Sequence, residues 1–148
     1  MIQAKLYNIK MIVRNLEESV EFYTKVFSWL GFTRGRYWDD PYDKRKAYTL
    51  GNNHMYMELV EKSSLPEANN VDEKSIRGAR IEFFASSKDE VDEFYIHLLK
   101  NNVVIIEEPK RYFDELWKDC DMDDAIWYAV YFLDPNGIKF GLVHTNDY

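Results

Sequence analysis

Tyr131-Phe-Leu-Asp-Pro-Asn-Gly-Ile-Lys-Phe-Gly-Leu-Val-His144 decides how this chain is read. A strand-like run enters Asp134-Pro-Asn-Gly137, a tight-turn sequence, and a second strand-like run leaves it, so the stretch predicts a β-hairpin. Tyr48-Thr-Leu-Gly-Asn-Asn-His-Met-Tyr-Met-Glu-Leu-Val60 repeats the layout earlier in the chain. At one constant offset Tyr48 falls on Tyr131, Leu50 on Leu133, Asn53 on Asn136, Leu59 on Leu142 and Val60 on Val143. One pair differs in kind: Glu58 falls on Gly141.

The residues before each hairpin repeat as well. Ile9, Met11 and Val13 mark a strand over Tyr7 to Val13. Asn15 caps a helix with Glu18 three residues on, and Leu16, Val20, Tyr23, Phe27 and Leu30 form its apolar face up to Gly31. Phe32 to Trp38, Lys46 to Leu50 and Met55 to Glu61 read as strands. The second half restarts with a strand at Arg80 to Ala85. A helix capped by Ser87 with Glu90 follows, with Val91, Phe94, Tyr95, Leu98 and Leu99 as its apolar face. Then come a strand at Val103 to Glu107, a polar-aromatic insert from Pro109 to about Asp124, and the final hairpin. Asn15 falls on Ser87, Glu18 on Glu90, Phe22 on Phe94 and Tyr23 on Tyr95, so the repeat covers both halves. The predicted class is α+β, with two βαβββ modules in tandem. Module 1 spans about 1–62 and module 2 about 76–148, joined by a polar linker at 63–75 within one domain.

Composition bounds the function. With 148 residues, a formal charge of −7 and a pI near 5.0, the chain is not expected to bind nucleic acid. The basic run Lys44-Arg45-Lys46 lies among Asp39, Asp40 and Asp43 and reads as a solvated turn. Cys120 is the only cysteine, so no internal disulfide forms. No apolar run approaches the roughly 18 residues of a membrane span, and the N-terminus passes straight into strand-like sequence without a signal-peptide pattern. The expectation is a cytoplasmic protein that does not enter a membrane.

Val13-Arg-Asn-Leu-Glu-Glu-Ser-Val-Glu-Phe-Tyr23 after the first strand and Tyr131-Phe-Leu-Asp-Pro-Asn-Gly137 before the last carry a resemblance. In this order and with this repeat, the chain resembles the vicinal oxygen chelate superfamily, the glyoxalase / bleomycin-resistance / extradiol-dioxygenase fold. The resemblance implies a cupped mixed sheet with helices on the outside, a cavity between the modules, and a homodimer. It also implies a metal held by one residue from the first and one from the last strand of each module. By position these are Asn8, Glu58, Arg80 and Gly141.

Those residues suit a metal poorly. A divalent ion needs several N, O or S donors around one point. Glu58 has such a side chain, and Asn8 offers one neutral oxygen. Gly141 offers no side chain, while Arg80 has no lone pair and repels a cation. Arg80 is expected instead to pair with Glu58. Strand parity groups further residues with these positions: Lys10 with Asn8, His54 and Tyr56 with Glu58, Glu82 and Phe84 with Arg80, and Lys139 with Gly141. The opposite faces carry Ile9, Met11, Val13, Met55, Met57, Leu59, Ile81, Phe83, Ile138, Phe140 and Leu142, which should pack under the helices.

The expected ligand-binding set is therefore Asn8, Lys10, Tyr56, Glu58, Arg80, Glu82 and Lys139. Glu58 and His54 are the candidate bases. His97 and His144 show no metal-ligand spacing. Asp119, Asp121 and Asp123 alternate like a calcium loop, but Asp124 and Val130 occupy the positions that need Gly and Glu. Arg36, Trp38, Tyr42, Tyr112, Trp117 and Trp127 can supply aromatic or cationic wall. Two functional readings stand. One is a small-molecule-binding protein without cofactor. The other is a lyase, isomerase or dioxygenase resembling glyoxalase I, either metal-free or using a divalent metal at Glu58. A plain interaction domain is a third.

Overall fold

The computed structural model describes residues 5–41, 44–62, 80–112 and 127–146. The expected linker at 63–75, Tyr42, and the insert residues Trp117, Asp119, Cys120, Asp121, Asp123 and Asp124 lie outside them. The chain divides into two units, Met1–Asn70 and Val71–Tyr148. Among the described residues, no helix is long and apolar enough to cross a membrane.

The first unit runs β1 (Asn8–Val13), α1 (Leu16–Phe27), β2 (Arg34–Asp39), β3 (Lys46–Gly51) and β4 (Tyr56–Glu61). The second runs β5 (Arg80–Phe84), α2 (Lys88–Lys100), β6 (Val104–Arg111), β7 (Trp127–Leu133) and β8 (Lys139–Thr145). These are the two βαβββ modules of the α+β fold. Each builds its own mixed four-stranded sheet, ordered β1-β4-β3-β2 and β5-β8-β7-β6. The first and last strands of each module pair in parallel, and the other pairs are antiparallel. A helical crossover is what permits the parallel pairing.

Local chemistry fixes both helices. The Asn15 side chain accepts from the Glu18 amide at 3.1 Å, and the Ser87 hydroxyl from the Glu90 amide at 3.2 Å. The Glu90 carboxylate accepts from the Ser86 amide at 2.7 Å, one residue before the cap. α1 stops at Phe27, earlier than Gly31, because the Phe32 amide folds back onto the Phe27 carbonyl. Gly31, at φ +83°, closes that turn in a conformation that side chains disfavour. In α2, Val91, Phe94 and Leu98 are buried, whereas Leu99 is 49% exposed and leaves the expected apolar face.

Each helix covers one face of its own sheet: α1 packs on β3 and β4, and α2 on β6, β7 and β8. Met11, Val13, Leu50, Met57 and Leu59 are buried with Leu16, Tyr23, Val26 and Phe27 in the first unit. Val130, Phe132, Phe140 and Leu142 are buried with Val91, Phe94 and Leu98 in the second. Met55 and Ile138, expected on strands, fall in the turns instead.

Two further expectations need correction. Pro109 does not open the insert: β6 continues through it to Arg111. β6 is an edge strand with register shifts between Glu107 and Lys110, where the missing proline N–H is tolerated. The repeat also slips by one residue within the hairpins. Glu58 pairs with Thr49, while Gly141 pairs with Tyr131, so Tyr131 corresponds to Thr49 and not to Tyr48. The turn of the second hairpin, Asp134 to Ile138, is one residue longer than Asn52 to Met55. The Asp134 carboxylate accepts from the amides of Asn136 and Ile138 at 2.9 and 2.7 Å, and Gly137 takes φ +79° to close the longer turn.

Candidate functional site

Strand register assembles a polar face opposite α1. One row across the first sheet is Asn8, Tyr56, Gly51 and Arg34; the next is Lys10, Glu58, Thr49 and Arg36. Expected residues Asn8, Lys10, Tyr56 and Glu58 are thus neighbours. Arg34, Arg36, Trp38 and Thr49 join them, and with Gly35 and Tyr56 they line a cavity of about 420 Å³. Sequence parity along the second strand marks Arg34, Arg36 and Trp38 as co-facial, but only the β2–β3 pairing directs them to this surface.

The face curls strongly. Lys10 on β1 forms an ion pair of 2.9 Å with Asp40, which directly follows β2 at the other edge. A flat sheet would separate those edge strands by about 14 Å. Asp40 is only 2% exposed, and Lys10 compensates its buried charge.

Several polar groups on this face have no protein partner among the described residues. The Asn8 side-chain oxygen is buried without a donor. The Glu58 carboxylate, the Tyr56 hydroxyl and the Arg36 guanidinium form no hydrogen bond or ion pair. Trp38 is fixed, its indole N–H donating to the Thr49 hydroxyl at 2.8 Å. Arg34 donates to the Asn52 carbonyl. His54 lies in the exposed β3–β4 turn, where its amide donates to the Asn52 side chain.

The second unit presents the equivalent rows Arg80–Lys139–Leu133 and Glu82–Gly141–Tyr131. Here the polar groups satisfy one another. Arg80 pairs with Glu82 on its own strand, Nε to Oε1 at 3.1 Å. The Tyr131 hydroxyl donates to Glu82 at 2.8 Å and accepts from the Trp127 indole at 3.1 Å. Arg80 and Lys139 stand over the Tyr131 ring at 5.1 and 5.0 Å from its centroid. Tyr112 meets that ring edge-on at 5.4 Å and donates to Glu107 at 2.9 Å, and Lys110 pairs with Glu107 at 2.6 Å. Tyr131 is not among the residues the sequence groups on this face, because its face follows from pairing with Gly141 across the hairpin and not from the repeat with Tyr48. His97 stacks on Phe94, and the His144 ring bonds the Ala85 carbonyl at 3.1 Å.

Gly141 permits this network. A Cβ there would lie 2.6 and 2.8 Å from the Tyr131 ring. The phenol crosses β8 over the bare glycine backbone to reach Glu82. Burial pushes its pKa up to about 12; Glu82 adds to the rise, and the Trp127 hydrogen bond opposes it. The folded phenol holds its proton longer than an unfolded one, which titrates near 10. Its contribution to stability is therefore present below pH 10 and lost as pH rises through about 12. Tyr131→Phe is expected to flatten the fall of unfolding free energy across that window, measured by urea titration at stepped pH. An unchanged slope would rule out this role for the phenol.

The four family metal positions carry different chemistry in the two units. Asn8 and Glu58 offer two oxygens in the first unit. In the second, Arg80 offers a cation, and the space above Gly141 holds an aromatic ring. Taken unit by unit, neither pair of positions alone supplies the several donors a divalent ion needs. Among the described residues, no three His, Cys, Asp or Glu side chains cluster as ligands.

A family model described as Glyoxalase/Bleomycin resistance protein/Dioxygenase superfamily matches residues 5–142. The chain belongs to this superfamily. No curated protein matches its sequence significantly. Similar solved structures include a glyoxalase/bleomycin resistance protein from Albidiferax ferrireducens T118, at 20% identity and TM-score 0.63, covering 94% of this chain and 97% of that one. Another is the fosfomycin resistance protein FosX from Listeria monocytogenes, at 20% identity and TM-score 0.64, covering 97% and 94%. A third, a glyoxalase/bleomycin resistance protein/dioxygenase from Alicyclobacillus acidocaldarius, has 14% identity and TM-score 0.65, covering 97% and 92%. At these identities the superfamily likeness is one of fold, and activity has to be argued from the side chains.

Proposed function

We propose that this superfamily member is a small-molecule-binding protein that works without the family metal, with its ligand site on the polar face of the first module. The observation that carries the reading is the contrast between the two faces. The second module's polar groups are bonded to one another around Tyr131, over the bare Gly141. The first module's Asn8, Tyr56, Glu58 and Arg36 leave polar groups unpartnered beside a cavity of ligand size. The chain is further proposed to act in the cytoplasm as a homodimer, in line with its superfamily; sedimentation of the purified protein tests the assembly.

The enzyme reading has one observation in its favour. The Glu58 carboxylate and the Asn8 oxygen stand one row apart on paired strands, neither with a hydrogen-bond partner among the described residues. A crystal structure of a FosX mutant is complexed with Mn(II) and 1S,2S-dihydroxypropylphosphonic acid. Metal content separates the two readings. Tag-free protein is incubated with manganese, zinc, nickel, iron(II) or calcium, desalted and assayed for bound element. The expected result is no retention above background. Near-stoichiometric retention abolished by Glu58→Ala would overturn the metal-free reading and direct the work to lyase and dioxygenase assays.

A further inference from the structure

Resting on that small-molecule reading, we propose that the first module's face selects a planar aromatic carboxylate that also carries a hydrogen-bond-donating amine. Four features of the face define this class. The first is charge. Arg34 and Arg36 stand two residues apart on one face of β2 and line the same cavity, in a chain of net charge −7. Arg34 is anchored on the Asn52 carbonyl, while the Arg36 guanidinium has no hydrogen bond or ion pair among the described residues. A guanidinium matches a carboxylate through two parallel N–H donors, which makes an anion the natural occupant.

The second feature is shape. The Trp38 indole is locked by its bond to Thr49, and the Tyr56 ring lies over Gly51, where a Cβ would meet it at 2.7 Å. Both rings line the cavity with the two arginines. Aromatic surfaces held in fixed orientation favour a flat ring over a flexible chain.

The third is the far end. Glu58 is the register partner of Thr49, and Asn8 that of Tyr56. The Glu58 carboxylate and the Asn8 oxygen are acceptors without donors. The Asn8 oxygen is buried, so Glu58, beside the lining residue Thr49, is the group a ligand can reach, and a cationic amine serves its carboxylate best.

The fourth is length. Glu58 and Arg36 share a row, on strands two places apart with Thr49 between them. That span suits one benzene ring bearing an acid at one end and an aminomethyl group at the other. In the second module the described cavity of about 460 Å³ is lined by Glu82, Phe83, Phe84, Trp127, Val143 and Thr145, with no arginine among them, and Arg80 is paired with Glu82.

The test uses the full chain and three probes: 4-(aminomethyl)benzoate, benzoate and benzylamine. Affinity is read by isothermal titration, alongside a thermal-shift screen of neutral, cationic and anionic compounds. The expected order is 4-(aminomethyl)benzoate first, then benzoate, then benzylamine. Arg36→Ala, at an exposed position, is expected to keep the melting temperature and weaken both acids by about tenfold or more, leaving benzylamine unchanged. Glu58→Gln should reduce the amino acid to the level of benzoate. Undiminished binding of the acids by Arg36→Ala, or benzylamine binding best, overturns the proposal. If neutral or cationic compounds raise the melting temperature while the acids do not, this ligand class is wrong but the small-molecule reading stands. If no compound of any charge raises it, both fall.

Discussion

Gly141→Ala is expected to lower the unfolding free energy by about 3 kcal/mol, the cost of forcing one methyl group into a filled site. The added carbon would lie 2.6 Å from Cε1 and 2.8 Å from Cδ1 of Tyr131, and 3.3 Å from Cγ of Glu82. Tyr131 is 2% exposed, so its ring has no open space to swing into. Relief must come by breaking the phenol's bonds to Glu82 and Trp127. Arg80 and Lys139 would then lose the ring beneath them. Urea unfolding measures the loss, and a double-mutant cycle assigns it. In a Tyr131→Leu background the same Gly141→Ala change should cost much less, because the obstructing ring is gone. Equal costs in both backgrounds would show that the ring does not depend on the bare glycine.

Phe132→Ala is expected to cost more, about 4 kcal/mol. Phe132 is fully buried on the helix side of β7, with Phe94 edge-on at 5.7 Å and Phe140 stacked at 5.7 Å. Deleting its ring opens a void between α2 and the sheet that three aromatic side chains now fill. Leu99→Ala on the same helix is the control, since Leu99 is largely exposed and its loss should change stability by less than about 0.5 kcal/mol. A Phe132→Ala cost near that of Leu99→Ala would show that the second module's core lies elsewhere.

Much of the fold was legible because it is encoded locally. Asn15 and Ser87 cap their helices through hydroxyl or amide groups three residues from the amides they accept, whatever the rest of the chain does. Alternation at Ile9, Met11 and Val13 separates the helix face from the polar face within one strand. The Asp134-Pro-Asn-Gly137 turn is likewise built from its own side chains. From these rules the two βαβββ modules follow, and with them the grouping of Asn8 with Lys10, of Tyr56 with Glu58, and of Arg80 with Glu82.

The two hairpins differ in a way that residue type conceals. Matching Tyr48 to Tyr131 looks correct by residue type, but one extra residue in the second turn shifts the partner strand by one position. Because side chains alternate, that shift moves Tyr131 to the polar face, while Tyr48 stays on the helix side beside Tyr37. The functional meaning of Gly141 therefore changes. In the sequence it is a missing donor; in the structure it is the path by which a phenol reaches Glu82.

The sequence by itself determined the class, the two-module repeat, the helix boundaries to within a turn, and the chemistry available at Asn8, Glu58, Arg80 and Gly141. Tertiary structure alone decided which of those groups are already engaged. Arg80 chose Glu82, Lys10 reached across the curled sheet to Asp40, and Arg36 was left facing a cavity with Trp38 and Thr49. The physical reason is that an ion pair or a cavity depends on distances across strands. Strand register and sheet curvature set those distances, and neither is written in the periodicity of any single strand.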